Sequence, residues 1–219
     1  MPNNQSIDIT WIKIGIIAGF LTTIIYPLLI FAPMPRLLSV ILIFAVGPLL
    51  SISSVGLYKF IQLHRKTVSL QIAMVSNIIA GTLFCVMLVV QMALRFPMLD
   101  HIERTGDESV REIVNWIWNV DLGLDLSWDL YIALGTFFFA LNMLRHPKLG
   151  KVIGGIGILV TVAMLGFNIY TFPDPPADAG LFDLGPFVGL WYLLVTILVL
   201  RSYNWAKKLL SIEDSPNLS

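Results

Sequence analysis

One cysteine in 219 residues, Cys85, leaves no intramolecular disulfide and no C-x-x-C redox or metal pair to build. Histidine is nearly as scarce. His64, His101 and His146 all fall between the long apolar stretches, so no zinc triad of the intramembrane-hydrolase kind can assemble inside them. His101 with Glu103 and Asp107 reads as a solvated polar loop ahead of a weak cation site. A G-x-S-x-G elbow and a phosphate-binding loop are both missing, and a lone Cys85 within an apolar run is a small buried hydrophobe before it is a nucleophile. No lysine stands deep in a late run, which removes a retinal Schiff base; Lys13 and Lys59 sit at run ends, where their side chains can snorkel. The two halves carry no internal similarity of the kind expected of inverted-repeat transporters. Charge is thin as well, at 13% of residues against about 25% for a soluble domain.

What fills the space is hydrocarbon. The chain is 57% hydrophobic with a mean hydropathy of +0.81. Six apolar runs, at about 11–31, 37–58, 68–94, 124–144, 152–172 and 184–200, approach or exceed the ~20 residues of helix that cross a bilayer. They do not alternate polar and apolar residues, so they read as helices and not as barrel strands. The first run lacks the basic lead and small-residue cleavage site of a removable signal and is expected to stay as a span. The fold class expected is an all-α integral membrane protein, a single domain over 1–219 built as a six-transmembrane-helix bundle.

The formal net charge is zero, but the signs separate. Ten of the fourteen Lys and Arg fall in the segments around Lys13, Lys59–Lys66, Arg145–Lys151 and Arg201–Lys208. Eleven of the fourteen Asp and Glu fall in the alternate links, which also hold Arg36, Arg95, Arg104 and Arg111. Basic loops face the cytoplasm, so both termini are expected there, with an acidic extracytoplasmic surface. In the long link 95–123, Val110, Ile113, Val114 and Ile117 recur at helical spacing beside Trp116 and Trp118. This predicts a short extracytoplasmic amphipathic helix between spans 3 and 4, lying near the membrane plane as an interfacial anchor or as a lid or partner surface.

Small or hydrogen-bonding residues repeat on one face of every run but the fourth. They are Gly15, Gly19, Thr22 and Tyr26; Gly47, Ser51, Ser54 and Tyr58; Asn77, Gly81, Gln91 and Arg95; Gly154, Thr161 and Asn168; and Gly185, Gly189, Tyr192 and Thr196. Such faces point inward, where small residues let helices approach and polar ones bond across the contact. The fourth run carries the ionisable groups: Asp121, Asp125 and Asp129 recur every four residues on one face. At ~1.5 Å per residue from Arg145, Asp129 stands about 24 Å up a ~30 Å hydrocarbon layer, with Asp125 at its edge. An intramembrane carboxylate faces an interior, takes a partner and marks a site. Asp121 reads as a helix-start residue favoured by the macrodipole. Arg95, ending the third run, is the expected partner of Asp125 or Asp129, as a structural clamp or as part of a ligand site.

The stretches LDLSWDLYIALGTFFFALNMLRHPKLG and FPDPPADAGLFDLGPFVGLWYLLVTILVLR resemble those of small bacterial multi-pass membrane proteins, most specifically at Asp125, Ser127, Trp128, Asp129, Asp183, Gly185, Pro186 and Trp191. The resemblance is confined to the C-terminal half; it implies a bacterial inner-membrane location and no activity. The function expected is binding or transport of a small cationic or amphiphilic molecule or lipid through a polar pocket open to the extracytoplasmic side. Its lining is expected from Asp125, Asp129, Arg95, Gln91, Asn168, Tyr26 and Tyr192. The alternative is a non-catalytic subunit or assembly factor of a membrane complex; an enzyme comes third. Partners expected are membrane lipids, a small-molecule ligand and a protein partner or second copy, without nucleic acid, metal or cofactor.

Overall fold

The computed structural model describes residues 4–94, 98, 100–106 and 108–213. These are helical with connecting turns, and no strand occurs among the described residues. In chain order the helices are α1 (Asn4–Phe31), α2 (Arg36–Gln62), α3 (Val68–Ala93), α4 (Asp100–Thr105), α5 (Glu108–Met143), α6 (Gly150–Thr171), α7 (Gly185–Arg201) and α8 (Tyr203–Glu213). α1, α2, α3, α5 and α6 are each long and apolar enough to cross a membrane, and α7 with α8 forms a sixth, broken candidate bent by 49°.

The turns follow from local chemistry. Thr67 is extended and its Oγ1 accepts the Leu70 N–H at 3.1 Å, capping α3. Asp183 accepts the Gly185 N–H at 2.8 Å ahead of α7, where Pro186 occupies the first turn. Consecutive long helices pack as neighbours: α1 on α2, α2 on α3, α3 on α5 and α5 on α6. α7 then contacts both α6 and α1, closing the helices into a ring.

The ring's core is largely apolar, around Phe60, Leu70, Ile132, Phe139 and Trp191, but it also holds hydrogen-bonding residues, and its outer face is aliphatic. Asn77, Ser54, Thr136 and Thr161 are buried, whereas Ile17, Ile24, Ile41, Phe44, Leu159 and Val162 are exposed. Aliphatic surface outside with hydrogen-bonding residues inside is what lipid selects, and long apolar helices with this pattern fit a multi-pass membrane protein. Glycine permits close approach: a Cβ on Gly15 would stand 2.5 Å from the Gly56 Cα, so α1 and α2 meet backbone to backbone there.

Three expectations are corrected. The predicted in-plane helix is not a separate element, because its residues form the N-terminal part of α5, which runs unbroken through Asp121 and Asp125. The lone Gly123 costs a helix only about 1 kcal/mol and does not break it. Of the apolar residues there, Val114 is buried while Ile113, Trp116 and Trp118 are exposed. Second, the fourth run is not free of small and polar core residues: Gly135 and Thr136 are buried at the centre of the ring. Third, Gly189 faces outward with open space at its Cβ position.

Candidate functional site

α5 supplies an inward-facing ladder. Asp121, Asp125, Asp129 and Thr136 lie within about a quarter-turn of one another at 100° per residue, the face that α5 turns to α3 and α6. Asp121 is mid-helix and 3% exposed, contrary to the helix-start role expected of it. Gln91 of α3 donates to its Oδ2 at 2.9 Å. Its Oδ1 is buried and has no hydrogen-bond partner among the described residues. Arg95, the expected partner of Asp125 or Asp129, lies outside the described residues.

Asp129, two turns along, is buried and meets α6. The Asn168 Nδ2 donates to its Oδ2 at 2.8 Å and also to the Met164 carbonyl at 3.1 Å. Both amide hydrogens are thereby used, which fixes the Asn168 side chain with its donors toward the carboxylate. Asp125 stands between these two levels. Asp183, in the turn before α7, is exposed and close enough for its charge to act on both Asp125 and Asp129. Among the described residues, no Lys or Arg forms an ion pair with any of these carboxylates.

Two small clefts open beside Asn168. One, with a cavity volume of about 20 Å³, is lined by Leu122, Asp125, Leu126, Asn168 and the 172–175 turn. The other, of about 10 Å³, is lined by Asp129, Met164, Phe167, Asn168, Pro176, Phe182, Asp183 and Leu184. Tyr26 of α1 packs edge-on against Phe84 with ring centroids 5.2 Å apart, and Phe84 stacks on Trp128 at 5.1 Å. Asp183, Asp125 and Asp129 are near enough for their charges to act on the Tyr26 phenol. No three His, Cys, Asp or Glu side chains among the described residues converge as a metal site.

Tyr192 is not part of this group. Its hydroxyl accepts from Asn77 Nδ2 at 2.5 Å and from Thr136 Oγ1 at 3.0 Å, while Asn77 also donates to Ser54 Oγ at 3.1 Å. This fully buried network joins α2, α3, α5 and α7 and occupies the centre of the ring. A Cβ on Gly135 would collide with the Asn77 Oδ1, so glycine there makes room for the amide. The expected lining set therefore separates. Gln91 meets Asp121, Asn168 meets Asp129, Tyr26 borders the acids, and Tyr192 belongs to the core.

Asp183 and the Phe84–Trp128 stack were not anticipated as parts of the site. Asp183 lies in a turn, where periodicity gives no address, although its place in the acidic last link was visible. Thr136 and Gly135 are readable as small residues in an aromatic run, but the four-residue spacing of the acids dominates the pattern of the fourth run. No protein family, curated protein or solved structure matches this chain.

Proposed function

We propose that the chain is a six-span inner-membrane protein, with α7 as the last span and α8 at its cytoplasmic end, that binds or passes a small cationic molecule at its acidic end. The supporting observation is that Asp125 lines one cleft and Asp129 with Asp183 the other, and that the two clefts meet at Asn168, which donates to Asp129. Gathered carboxylates at hydrocarbon depth are costly unless compensated, and an arriving cation supplies the compensation. The clefts, at about 20 and 10 Å³, have room for about one water each, so the guest reads as a cationic group resting across their mouths, such as the headgroup of an amphiphile whose tail lies along the aliphatic exterior. The positive-inside rule puts this end outside the cytoplasm and both termini inside.

The test is thermal unfolding of the detergent-solubilised protein with tetramethylammonium or choline chloride against sodium chloride at equal ionic strength. The reading expects a rise in Tm specific to the organic cations and lost in Asp129→Asn. Equal Tm values in all three salts, or a rise that survives both Asp125→Asn and Asp129→Asn, would reject it.

A second reading, a non-catalytic subunit or assembly factor, draws on α5. At 36 residues this helix is about 54 Å long, well over the ~30 Å hydrocarbon thickness. Its projecting part exposes Ile113, Trp116, Trp118 and Val120. A stoichiometric protein that co-purifies with the wild-type chain and is lost in a Trp116→Ala, Trp118→Ala variant would favour this reading over the pocket.

A further inference from the structure

At the opposite end, three segments distant in sequence are fastened to one aromatic knot. The turn after α2 brings His64, the turn after α5 brings His146, and α8 brings Trp205, all around Phe60 of α2. The His146 ring centroid lies 5.5 Å from His64, 5.2 Å from Phe60 and 5.4 Å from Trp205. His146 is 2% exposed, and its Nδ1 accepts the Lys148 backbone N–H at 3.2 Å. Its remaining proton is therefore on Nε2, which is buried without a hydrogen-bond partner among the described residues. The knot holds the three segments side by side.

Every ring brings cations with it. Arg65 and Lys66 follow His64, Arg145 and Lys148 flank His146, and Lys207 and Lys208 follow Trp205. All six are exposed, and among the described residues none is in an ion pair. Asp8, the one carboxylate at this end whose side chain is described, is taken by Lys59 at 2.8 Å. α8 itself turns Trp205, Ala206 and Leu210 inward and Asn204, Lys207, Lys208 and Ser211 outward, and it leaves the α7 axis at 49°. A short amphipathic helix at the end of a span, with its cations outward, lies where headgroups are.

We propose that this end is a docking surface for anionic phospholipid headgroups, with the phosphodiester held by Lys207 and Lys208 together with Arg65, Lys66, Arg145 and Lys148. The proposal uses the membrane-spanning part of the functional reading and is independent of the acidic clefts. Charge complementarity names the occupant: exposed cations without an ion pair among the described residues attract phosphate, Lys148 also lying 5.9 Å from the Trp205 ring centroid, and the exposed aliphatic flank of the ring brings lipid phosphates alongside. An acidic protein would meet the same charges, but the apolar face of α8 is already spent on the bundle and offers such a partner no anchor.

The experiment is thermal unfolding of the full chain in nanodiscs of phosphatidylcholine alone or mixed with phosphatidylglycerol, at low and high salt. Phosphatidylglycerol should raise Tm, high salt should shrink the rise, and Lys207→Gln with Lys208→Gln should at least halve it while leaving Tm in phosphatidylcholine unchanged. If that variant fails to fold, Arg65→Gln with Lys66→Gln carries the same expectation. Equal Tm values in the two discs, or a rise undiminished in a folded variant, would overturn the proposal. So would an equal rise from inorganic phosphate in phosphatidylcholine discs, which marks an ion site, or a response to soluble polyglutamate in place of phosphatidylglycerol, which marks an acidic protein partner. A failed cation test at the acidic clefts leaves these outcomes unaffected.

Discussion

The two ends of the ring carry opposite charge and handle it in opposite ways. At the acidic end Asp121 and Asp129 of α5 turn inward and are met by amides, Gln91 on Asp121 and Asn168 on Asp129. At the basic end the cations turn outward, and the interior is closed by uncharged rings around His146. An amide can serve a carboxylate while leaving its charge uncancelled, which is the condition the proposed cation binding requires. Uncharged rings fill the second end, with the Lys148 ammonium 5.9 Å from the Trp205 ring centroid at its edge, so its charge acts from the surface.

The contrast breaks outright if the ends are not on opposite sides of a membrane. In a variant lacking Cys85, cysteines placed at Ser109 and Ala179 should react with an impermeant thiol reagent in intact cells, and one at Ser215 should not. Labelling at Ser215 with none at Ala179 reverses the orientation.

Removing the seal should cost more than altering the acidic end. Trp205→Ala takes away ring contacts to both Phe60 and His146 and should lower stability in detergent by about 2–3 kcal/mol, with α8 becoming accessible to protease. A loss no larger than that of an exposed substitution such as Leu159→Ala would show that α8 is not held by the knot.

At the acidic end, Asn168→Leu deprives buried Asp129 of its donor and should cost about 1–3 kcal/mol. Adding Asp129→Leu should recover most of that loss, because the orphaned group is then gone. Failure to recover would mean that Asn168 acts through its own packing.

The smallest effect is a slope. Burial among the rings, with His64 alongside, lowers the His146 imidazole from 6.5 to about 4. The folded state holds this group neutral where the unfolded chain would protonate it. Its contribution is complete above about pH 6.5 and is lost as pH falls toward 4. Tm measured across that interval should fall less steeply in His146→Asn than in the wild type, and parallel slopes would remove His146 from the seal.

Much of the helical layout is legible because hydrocarbon-spanning runs are long, and a run of twenty apolar residues has few alternatives to a helix. α8 escaped that reading: eleven residues with Lys207 and Lys208 at their centre give no run, and only docking on the knot reveals the inward face of Trp205 and Leu210. The continuity of α5 escaped for a related reason, since tryptophans and scattered charge resemble an interfacial segment whether or not the helix goes on. Asp129 and Asn168 could be named as polar residues in spans, but their meeting depends on α6 following α5 around the ring. The placement of Tyr192 depends on α7 returning to α1, a closure between the two ends of the chain that no local pattern encodes.

The unbroken α5 has a mechanical consequence. It is fastened at four levels along its length: Asp121 to Gln91, Asp129 to Asn168, Thr136 to Tyr192, and Asn142, whose Nδ2 donates to Ser69 Oγ at 3.0 Å and whose Oδ1 accepts from Thr67 Oγ1 at 2.7 Å. A load applied at the Trp116 end is therefore shared down the rod among α3, α6 and α7 and does not turn it about one point.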